Sequence, residues 1–313
     1  RMAFRFPKWF ARAFFRVLLL FQSVLSKIAW AMGPVCVLVA FGLIFMVIYV
    51  YFSAILPHYM TTNYFGLGGA LHAIFAVWMS FNIPFNYFMC ISTNPGRAEG
   101  KVDPSELTED EYEFDYCKIC ECIKPERAHH CTVCNKCTLR MDHHCPWMAN
   151  CVGHFNYKYF VLFLLYLAVS CFYIAVVAGV PTKYGGLPAK APVPYLGKGS
   201  VEFVMLLCTS VGAAVGAMML WHLYLIGTQQ TTIEFYQNQL SKHSARQQNM
   251  KWVNMYDVGL RKNFDAVFGY NSLWFRWLLP STKPPPGDGM SFWMREDYVL
   301  KRVTSTVDGT FKV

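Results

Sequence analysis

The chain has 313 residues, of which 55% are apolar, 17% are aromatic and only 15% are charged. An average soluble domain is about 25% charged, whereas residues 28–96 contain no Asp, Glu, Lys or Arg at all. This composition excludes a single water-soluble domain, because a membrane span needs about 20 consecutive apolar residues. The net charge of +9 favours anionic lipid head groups as partners, and it argues against nucleic acid for a chain buried in a bilayer.

Residues 1–33 form a basic N-terminal segment, in which cationic side chains recur at helical spacing opposite aromatic ones. The cationic set is Arg5, Lys8, Arg12 and Arg16. This pattern predicts an amphipathic helix lying on the membrane surface. A signal peptide is the alternative, with an apolar run over 17–25 and a cleavage site at 29–31. Lys27 closes that apolar run, which favours the amphipathic helix.

Uncharged runs predict four transmembrane helices, near 34–56, 67–91, 158–180 and 201–226. The predicted fold class is therefore an α-helical integral membrane protein. Residues 34–91 carry the first two helices, 92–157 form a cysteine-rich domain, 158–226 carry the last two helices, and 227–313 form a C-terminal region.

Basic residues predict the orientation of these helices. Six Lys and Arg precede the first span, eight lie after the second span up to and including Lys158, and eleven follow the fourth span. The 57–66 connection has none and the 181–199 connection has three. The positive-inside rule therefore places both termini and the cysteine-rich domain in the cytosol. Thiols stay reduced there, which suits metal binding or nucleophilic chemistry and not disulfides.

The cysteine-rich domain contains eight cysteines between Cys117 and Cys151, several of them in C-x2-C pairs. Such pairs place two thiolates on one turn, as tetrahedral zinc requires, and two Cys3His sites take six cysteines. Two thiols are then left over. Cys122 follows Cys120 too closely to share its metal easily, and Cys145 directly follows His143 and His144.

A thiol beside an imidazole is an arrangement that forms a thiolate near neutral pH. The carboxylate of Asp142 is placed to orient His143, as in other nucleophile–base–carboxylate triads. The alternative is a third zinc knuckle in which Cys145 does no chemistry.

This stretch resembles the Asp-His-His-Cys domain of the membrane protein S-acyltransferases, also called palmitoyltransferases. The shared runs are R-A-H-H-C at 127–131, D-H-H-C-P-W at 142–147 and N-C-V-G at 150–153. The resemblance implies that Cys145 is the acylated nucleophile, His143 its base and Asp142 the orienting acid. It also implies two structural zinc ions, held by Cys117, Cys120, His130 and Cys137 and by Cys131, Cys134, His144 and Cys151. Ala149 departs from the family, which usually has Asn or Asp there.

A group of five side chains near the predicted nucleophile is expected to bind acyl-CoA, and its basic members suit the phosphates of coenzyme A by their charge. The group is Lys124, Arg127, His129, Arg140 and Trp147. The alternative is that the basic members only balance nearby thiolates and lipid phosphates, and that Trp147 is an interfacial packing residue.

Two C-terminal motifs also resemble the family. Thr231, Thr232 and Glu234 match its Thr-Thr-x-Glu motif, and by itself this pattern predicts a polar cluster at a helix end. The resemblance implies that the segment supports the Asp142 region. Asn254 opens a looser match, in which Met255 replaces proline.

The resemblance implies an enzyme that moves a long-chain acyl group from acyl-CoA, through Cys145, to cytosolic cysteines of membrane-associated proteins. It implies an endomembrane location, in the endoplasmic reticulum or Golgi, and places Ser170 at the floor of an acyl cavity. Serine is small, so we expect an open floor that accepts stearoyl about as well as palmitoyl; the alternative is that Ser170 only packs against another helix. The competing function is a zinc-stabilised membrane scaffold or adaptor with an inert Cys145.

Overall fold

A computed structural model of the chain describes residues 8–61, 67–109, 115–184, 198–270 and 273–296. Arg5, the end of the 57–66 connection, most of the 181–199 connection and the tail after residue 296 lie outside the described residues. Within the described part, helices carry all four predicted spans and short hairpins build the cysteine-rich domain.

The first long helix consists of α1 (Lys8–Val50), a π-helical turn (Tyr51–Ile55) and α2 (Leu56–Thr61), joined without a break. The helix therefore runs without interruption through residue 33, the expected boundary between the N-terminal segment and the first membrane helix. It also continues to Thr61, beyond the predicted end at residue 56. Pro57 lies just after the π-helical turn, where the regular hydrogen-bond pattern of the α-helix is already interrupted. At 1.5 Å per residue the whole helix is about 80 Å long, so much of it lies outside a hydrocarbon core of about 30 Å.

The other three spans are α3 (Leu67–Ser92), α4 (Tyr157–Tyr184) and α5 (Lys198–Gly227). Each begins and ends within a few residues of its prediction. All four helices are long and apolar enough to cross a membrane. The predicted fold class, with two spans before and two after a cysteine-rich region, is confirmed.

Helices α4 and α5 pack along their length, and α3 packs on the other side of α4. The two helices approach closely at Gly212, where an added Cβ would lie 3.0 Å from the Cβ of Cys171. Gly216, the second glycine of the G-x3-G pattern, has no neighbour within 4 Å of such a Cβ among the described residues. In α3, Asn86 donates to the Asn82 carbonyl at 2.8 Å, within the stretch that Pro84 interrupts.

Three antiparallel hairpins make up the cysteine-rich domain. The first pairs β1 (Tyr116–Cys117) with β2 (Cys122–Ile123), the second pairs β3 (His129–Cys131) with β4 (Lys136–Thr138), and the third pairs β5 (His143–Cys145) with β6 (Asn150–Val152). Strands of two or three residues are too short to be stable alone. The domain therefore depends on cross-links and on packing against the helices.

The C-terminal region returns to the domain. It consists of α6 (Thr232–Gln247), α7 (Leu260–Phe268) and a short 3-10 helix (Trp274–Leu278). The hydroxyl of Tyr166, on α4, donates to the carbonyl of Leu278. Further along, His154 contacts the Gly287 carbonyl, and Gly289 lies directly against its ring. The described end of the chain is thus held against both α4 and the hairpins.

Candidate active site

Each Cys/His cluster combines two hairpins. The first cluster takes Cys117 and Cys120 from the first hairpin, and His130 with its cross-strand partner Cys137 from the second. The second cluster repeats the pattern one hairpin later, with Cys131, Cys134, His144 and Cys151. Because neighbouring hairpins share the clusters, binding at either one would hold two hairpins together.

The ligand spacing fits tetrahedral zinc. In the first cluster the Nδ1 atom of His130 lies 3.3–3.8 Å from the three sulfurs, and in the second the Nδ1 atom of His144 lies 3.4–3.8 Å from them. A tetrahedral site with normal Zn–S and Zn–N bonds separates sulfur from nitrogen by about 3.5 Å. Cys122 is buried beside the first cluster but belongs to neither set of ligands.

A carboxylate–imidazole pair precedes the third hairpin's turn. Asp142 Oδ2 lies 2.7 Å from Nδ1 of His143, which is the first residue of β5. The Asp142 carboxylate is almost completely buried, and it accepts hydrogen bonds from the backbone N–H and the hydroxyl of Thr232, both at 2.9 Å. Burial raises the pKa of Asp142. The hydrogen bond from His143 and the backbone hydrogen bond from Thr232 lower that pKa by more, so the net shift is downward.

Cys145 ends β5 and is buried beside the same imidazole. Burial lowers the pKa of His143, but its hydrogen bonds to Asp142 and Cys145 outweigh burial and raise that pKa to about 9. A histidine tuned in this direction readily keeps a proton taken from a neighbouring thiol. Carboxylate, imidazole and thiol are therefore arranged as an activated nucleophile.

The turn after Cys145 rests on the first helix. Pro146–Met148 form one turn of 3-10 helix, and Ala149 follows in the left-handed region with φ of 48°. A Cβ on Gly33 would lie 2.9 Å from the Cβ of Ala149, so only glycine fits this contact. Asn or Asp tolerates a left-handed backbone better than alanine. Ala149, where the family usually has Asn or Asp, therefore lies at the close contact between this turn and α1.

A cavity of about 540 Å³ opens beside Cys145 and His143 and runs between the membrane helices. Phe160, Phe163 and Ile83 are among its lining residues, and so is Ser170, which lies farther along α4. Its walls are almost entirely apolar, and every long membrane helix contributes to them. The thiol is therefore exposed to a space suited to a hydrocarbon chain.

Two tyrosines line the cavity beyond Ser170. The hydroxyls of Tyr51, on the π-helical turn, and Tyr173 lie 3.1 Å apart, and His72 also bonds the Tyr173 hydroxyl. Ser170 itself is buried and lines the cavity, and its hydroxyl has no hydrogen-bond partner in the described part of the chain.

Comparison with known proteins agrees with this geometry. The family model for DHHC palmitoyltransferases matches residues 110–239. The probable protein S-acyltransferase 15 of Arabidopsis thaliana is 32% identical over 72% of this chain and 89% of its own length. The chain belongs to the DHHC palmitoyltransferase family. Palmitoyltransferase ZDHHC16A of Danio rerio is 29% identical over 90% of this chain and 84% of its own length. Palmitoyltransferase ZDHHC2 of Mus musculus is 36% identical over 56% of this chain and 45% of its own length.

Two of the basic residues expected to face coenzyme A lie inside this palmitoyltransferase. Arg127 donates from Nε and Nη2 to the carboxylate of Glu234, at 2.5 and 2.7 Å. Arg140 donates to the side chain of Gln229 at 2.8 Å and lies over the ring of Tyr157. Both guanidinium groups are buried with protein partners. This placement favours a role in holding the domain together over phosphate binding.

The remaining three members of that group lie nearer the surface. Lys124 and His129 are half-buried, and Trp147 is more than half exposed while also lining the cavity next to Cys145. Burial lowers the pKa of His129, and the charges of Lys124 and Arg127 lower it slightly more. The charge of Glu234 acts in the opposite direction but does not reverse the shift. Lys124, His129 and Trp147 are therefore the more accessible members of the group.

The Thr-Thr-x-Glu segment forms a capping box. The Thr231 hydroxyl accepts from the Glu234 N–H at 3.2 Å, and Glu234 Oε2 accepts from the Thr231 N–H at 2.9 Å. The predicted polar cluster at a helix end is therefore present, and Thr232 adds the bonds to Asp142. Asn254 lies farther away and donates to the Thr228 carbonyl at 2.7 Å, just before this segment.

Two residues at this site were not among those predicted. His222 on α5 and Tyr157 at the start of α4 lie close to Asp142 and His143, and their side chains bond each other at 3.0 Å. The available signal was the single histidine in the otherwise uncharged run 203–233, since polar residues within membrane spans are rare and usually functional.

Proposed function

We propose that this palmitoyltransferase carries a long-chain acyl group from acyl-CoA, through a thioester on Cys145, to cysteines of membrane-associated proteins. The observation that supports this most directly is the position of the thiol. Cys145 lies beside His143 at the end of β5 and also lines the apolar cavity. A thioester formed there would have its hydrocarbon chain already inside the membrane bundle.

The first step forms the acyl-enzyme. His143 takes the proton from the Cys145 thiol, and the thiolate attacks the carbonyl carbon of the acyl-CoA thioester. The new sulfur–carbon bond forms as the bond to the coenzyme A sulfur breaks, and His143 returns its proton to that leaving thiolate. Asp142 holds the imidazole in one orientation throughout, because its carboxylate binds Nδ1 and is itself fixed by Thr232.

The second step repeats the chemistry with a protein substrate. A substrate thiol gives its proton to His143 and attacks the acyl-Cys145 thioester, and the Cys145 sulfur leaves and regains a proton. The product cysteine gains about 0.8 kcal/mol of membrane affinity for each buried methylene. Lys124, His129 and Trp147 are the proposed contacts of the coenzyme A moiety, with Arg127 and Arg140 as structural support.

Two zinc ions are proposed to hold the hairpins. Each four-residue set has the chemistry and spacing of a closed structural site, with thiolates and one imidazole and no remaining position for a reactant. When bound, zinc supplies folding free energy and no reaction step. We further propose an endomembrane protein of the endoplasmic reticulum or Golgi, with the hairpin domain and both termini cytosolic, following the bias of basic residues.

Incubation with labelled palmitoyl-CoA tests the proposal. We expect a label on the wild-type protein that hydroxylamine removes, and no label on Cys145→Ser. Cys36→Ser changes a half-buried thiol on α1 and is the matched control that should retain the label. An unlabelled wild type would favour an adaptor with an inert Cys145. Loss of one zinc per chain in Cys145→Ser would instead make Cys145 a metal ligand.

A further inference from the structure

His222 is a buried histidine in the fourth membrane helix, at the end nearest the cysteine-rich domain. Its side chain is 3% exposed. Along α5 it continues the face formed by Val211, Val215 and Met218, all of which line the cavity. Residues spaced by three or four positions share one helical face, so His222 faces the interior of the bundle. A polar side chain inside a membrane bundle is costly unless it has partners.

Four side chains lie close to its ring. The hydroxyl of Tyr157 lies 3.0 Å from Nδ1 of His222. One ring nitrogen of His222, one ring nitrogen of His143 and one carboxylate oxygen of Asp142 all lie within 4.8 Å of one another. The ring of Phe160 packs in edge-to-face geometry with both imidazoles, its centroid 5.0 Å from that of His222 and 5.1 Å from that of His143.

These contacts limit the positions available to His143. Asp142 holds its Nδ1, Phe160 packs against its ring, and the His222 ring lies with its centroid 6.0 Å away. When Tyr157 donates its hydroxyl proton to Nδ1 of His222, the other ring nitrogen carries the proton and becomes a donor. A carboxylate oxygen of buried Asp142 lies within 4.8 Å of a ring nitrogen of His222, which is close enough for small side-chain movements to let it accept from such a donor.

The anchoring of His222 is itself fixed. Tyr157 is the first residue of α4, and the guanidinium of Arg140 lies 5.2 Å from the centre of its ring. Ten residues after His222, Thr232 makes its two bonds to Asp142. The end of α5 and the start of α6 therefore approach the same carboxylate from two directions.

We propose that His222 is a positioning residue for acyl transfer, which holds the Asp142–His143 pair in its reactive orientation and is held in turn by Tyr157. This inference rests on the proposed roles of Cys145 and His143. It differs from a packing role, which would make His222 replaceable by any side chain of similar volume. It also differs from a third metal site, which would add a zinc ion to the two in the hairpins.

Three variants test the proposal in the full-length protein, by palmitoyl-CoA-dependent autoacylation. His222→Leu keeps the volume and removes both ring nitrogens, including the one that bonds Tyr157, and we expect the maximal rate to fall about 10- to 100-fold with little change in KM, because small misplacements of reacting groups are costly. His222→Asn keeps polar atoms on a short side chain and should recover part of the rate. Tyr157→Phe should give a smaller loss, and it should add little to His222→Leu.

Zinc content and thermal unfolding are measured on the same samples. Val204→Ala is the matched control, since Val204 is fully buried on the same helix and does not line the cavity. A wild-type rate in His222→Leu would overturn the proposal. So would equal losses in His222→Leu and His222→Asn accompanied by unfolding or by loss of a zinc ion. If wild type itself forms no label on Cys145, the proposed function fails; labelling of wild type and of His222→Leu at equal rates removes only the positioning role.

Discussion

The Arg127 guanidinium is enclosed by four protein groups. It pairs with Glu234, donates to the Gln229 carbonyl at 3.1 Å, and lies 4.3 and 4.7 Å from the ring centres of Tyr256 and Phe292. A buried charge is tolerated only when it is paired and hydrogen-bonded. At the scale of single residues, this one ion pair joins the hairpin domain to the segment that supports Asp142.

Removing the acidic partner is expected to destabilise the fold. Glu234→Gln leaves Arg127 buried without a counter-charge, which costs about 3–5 kcal/mol. Glu121→Gln is the control, because it breaks an exposed pair with Lys101 and should change stability little. Thermal unfolding in detergent compares the two variants with wild type. Equal unfolding temperatures for Glu234→Gln and wild type would contradict the assigned role.

The same pair predicts a pH dependence. Burial raises the pKa of Glu234, but the charge and hydrogen bonds of Arg127 outweigh burial and lower it. A lowered pKa in the folded state adds stability above the unfolded-state value of about 4.3 and loses it as the pH falls through the folded value. The difference in stability between wild type and Glu234→Gln should therefore be full at pH 7 and shrink below about pH 4. A difference that stays constant over this range would exclude an ionised Glu234.

At the scale of elements, the six short strands depend on shared cross-links. Each Cys/His cluster joins two hairpins, and strands of two or three residues have little stability of their own. Metal-binding free energy in such a domain is folding free energy. Substitution of a cluster residue should therefore have a different effect from substitution of a proposed catalytic residue, although both kinds lie next to each other on β5.

Zinc content separates these two classes. Cys120→Ser and His130→Ala should release metal and lose activity together, because the first and second hairpins come apart. His143→Ala should keep both metals and lose only acyl transfer, and Cys122→Ser should keep both metals because Cys122 belongs to neither cluster. Metal analysis and limited proteolysis measure both effects. Equal protease sensitivity in the ligand variants and His143→Ala would make His143 structural.

At the scale of the whole molecule, the cavity exists only because all four membrane helices meet around it. It extends past Ser170 to the hydroxyl pair of Tyr51 and Tyr173. From Tyr157 to Ser170 the helix rises about 20 Å, which is similar to the reach of an extended palmitoyl chain. The space beyond Ser170 supports the expectation that longer chains are also accepted.

A substitution at this depth should change the preferred chain length. We expect wild type to use stearoyl-CoA about as well as palmitoyl-CoA, and Ser170→Phe to favour chains of roughly 14 carbons, because overpacking an apolar space costs about 1–3 kcal/mol. Val169→Phe adds the same ring on a more exposed face of α4 and should leave the preference unchanged. Autoacylation rates with graded acyl-CoAs decide. An unchanged profile in a folded Ser170→Phe variant would place the floor elsewhere, with Tyr51 and Tyr173 as the next residues to test.

The sequence by itself determined the membrane helices and the cysteine-rich domain between them, whereas the assignment of particular residues to the two Cys/His clusters came from the family resemblance. Long apolar runs and C-x2-C spacing are local properties of the chain, so they can be recognised without knowing what packs against them. Helix ends were less predictable, because the π-helical turn at Tyr51–Ile55 allows the first helix to continue through Pro57. Only the tertiary structure decided that Arg127 and Arg140 turn inward and that His222 and Tyr157 join Asp142. Those contacts connect residues about 65 to 107 positions apart, and the direction of a side chain depends on partners that spacing in the sequence does not reveal.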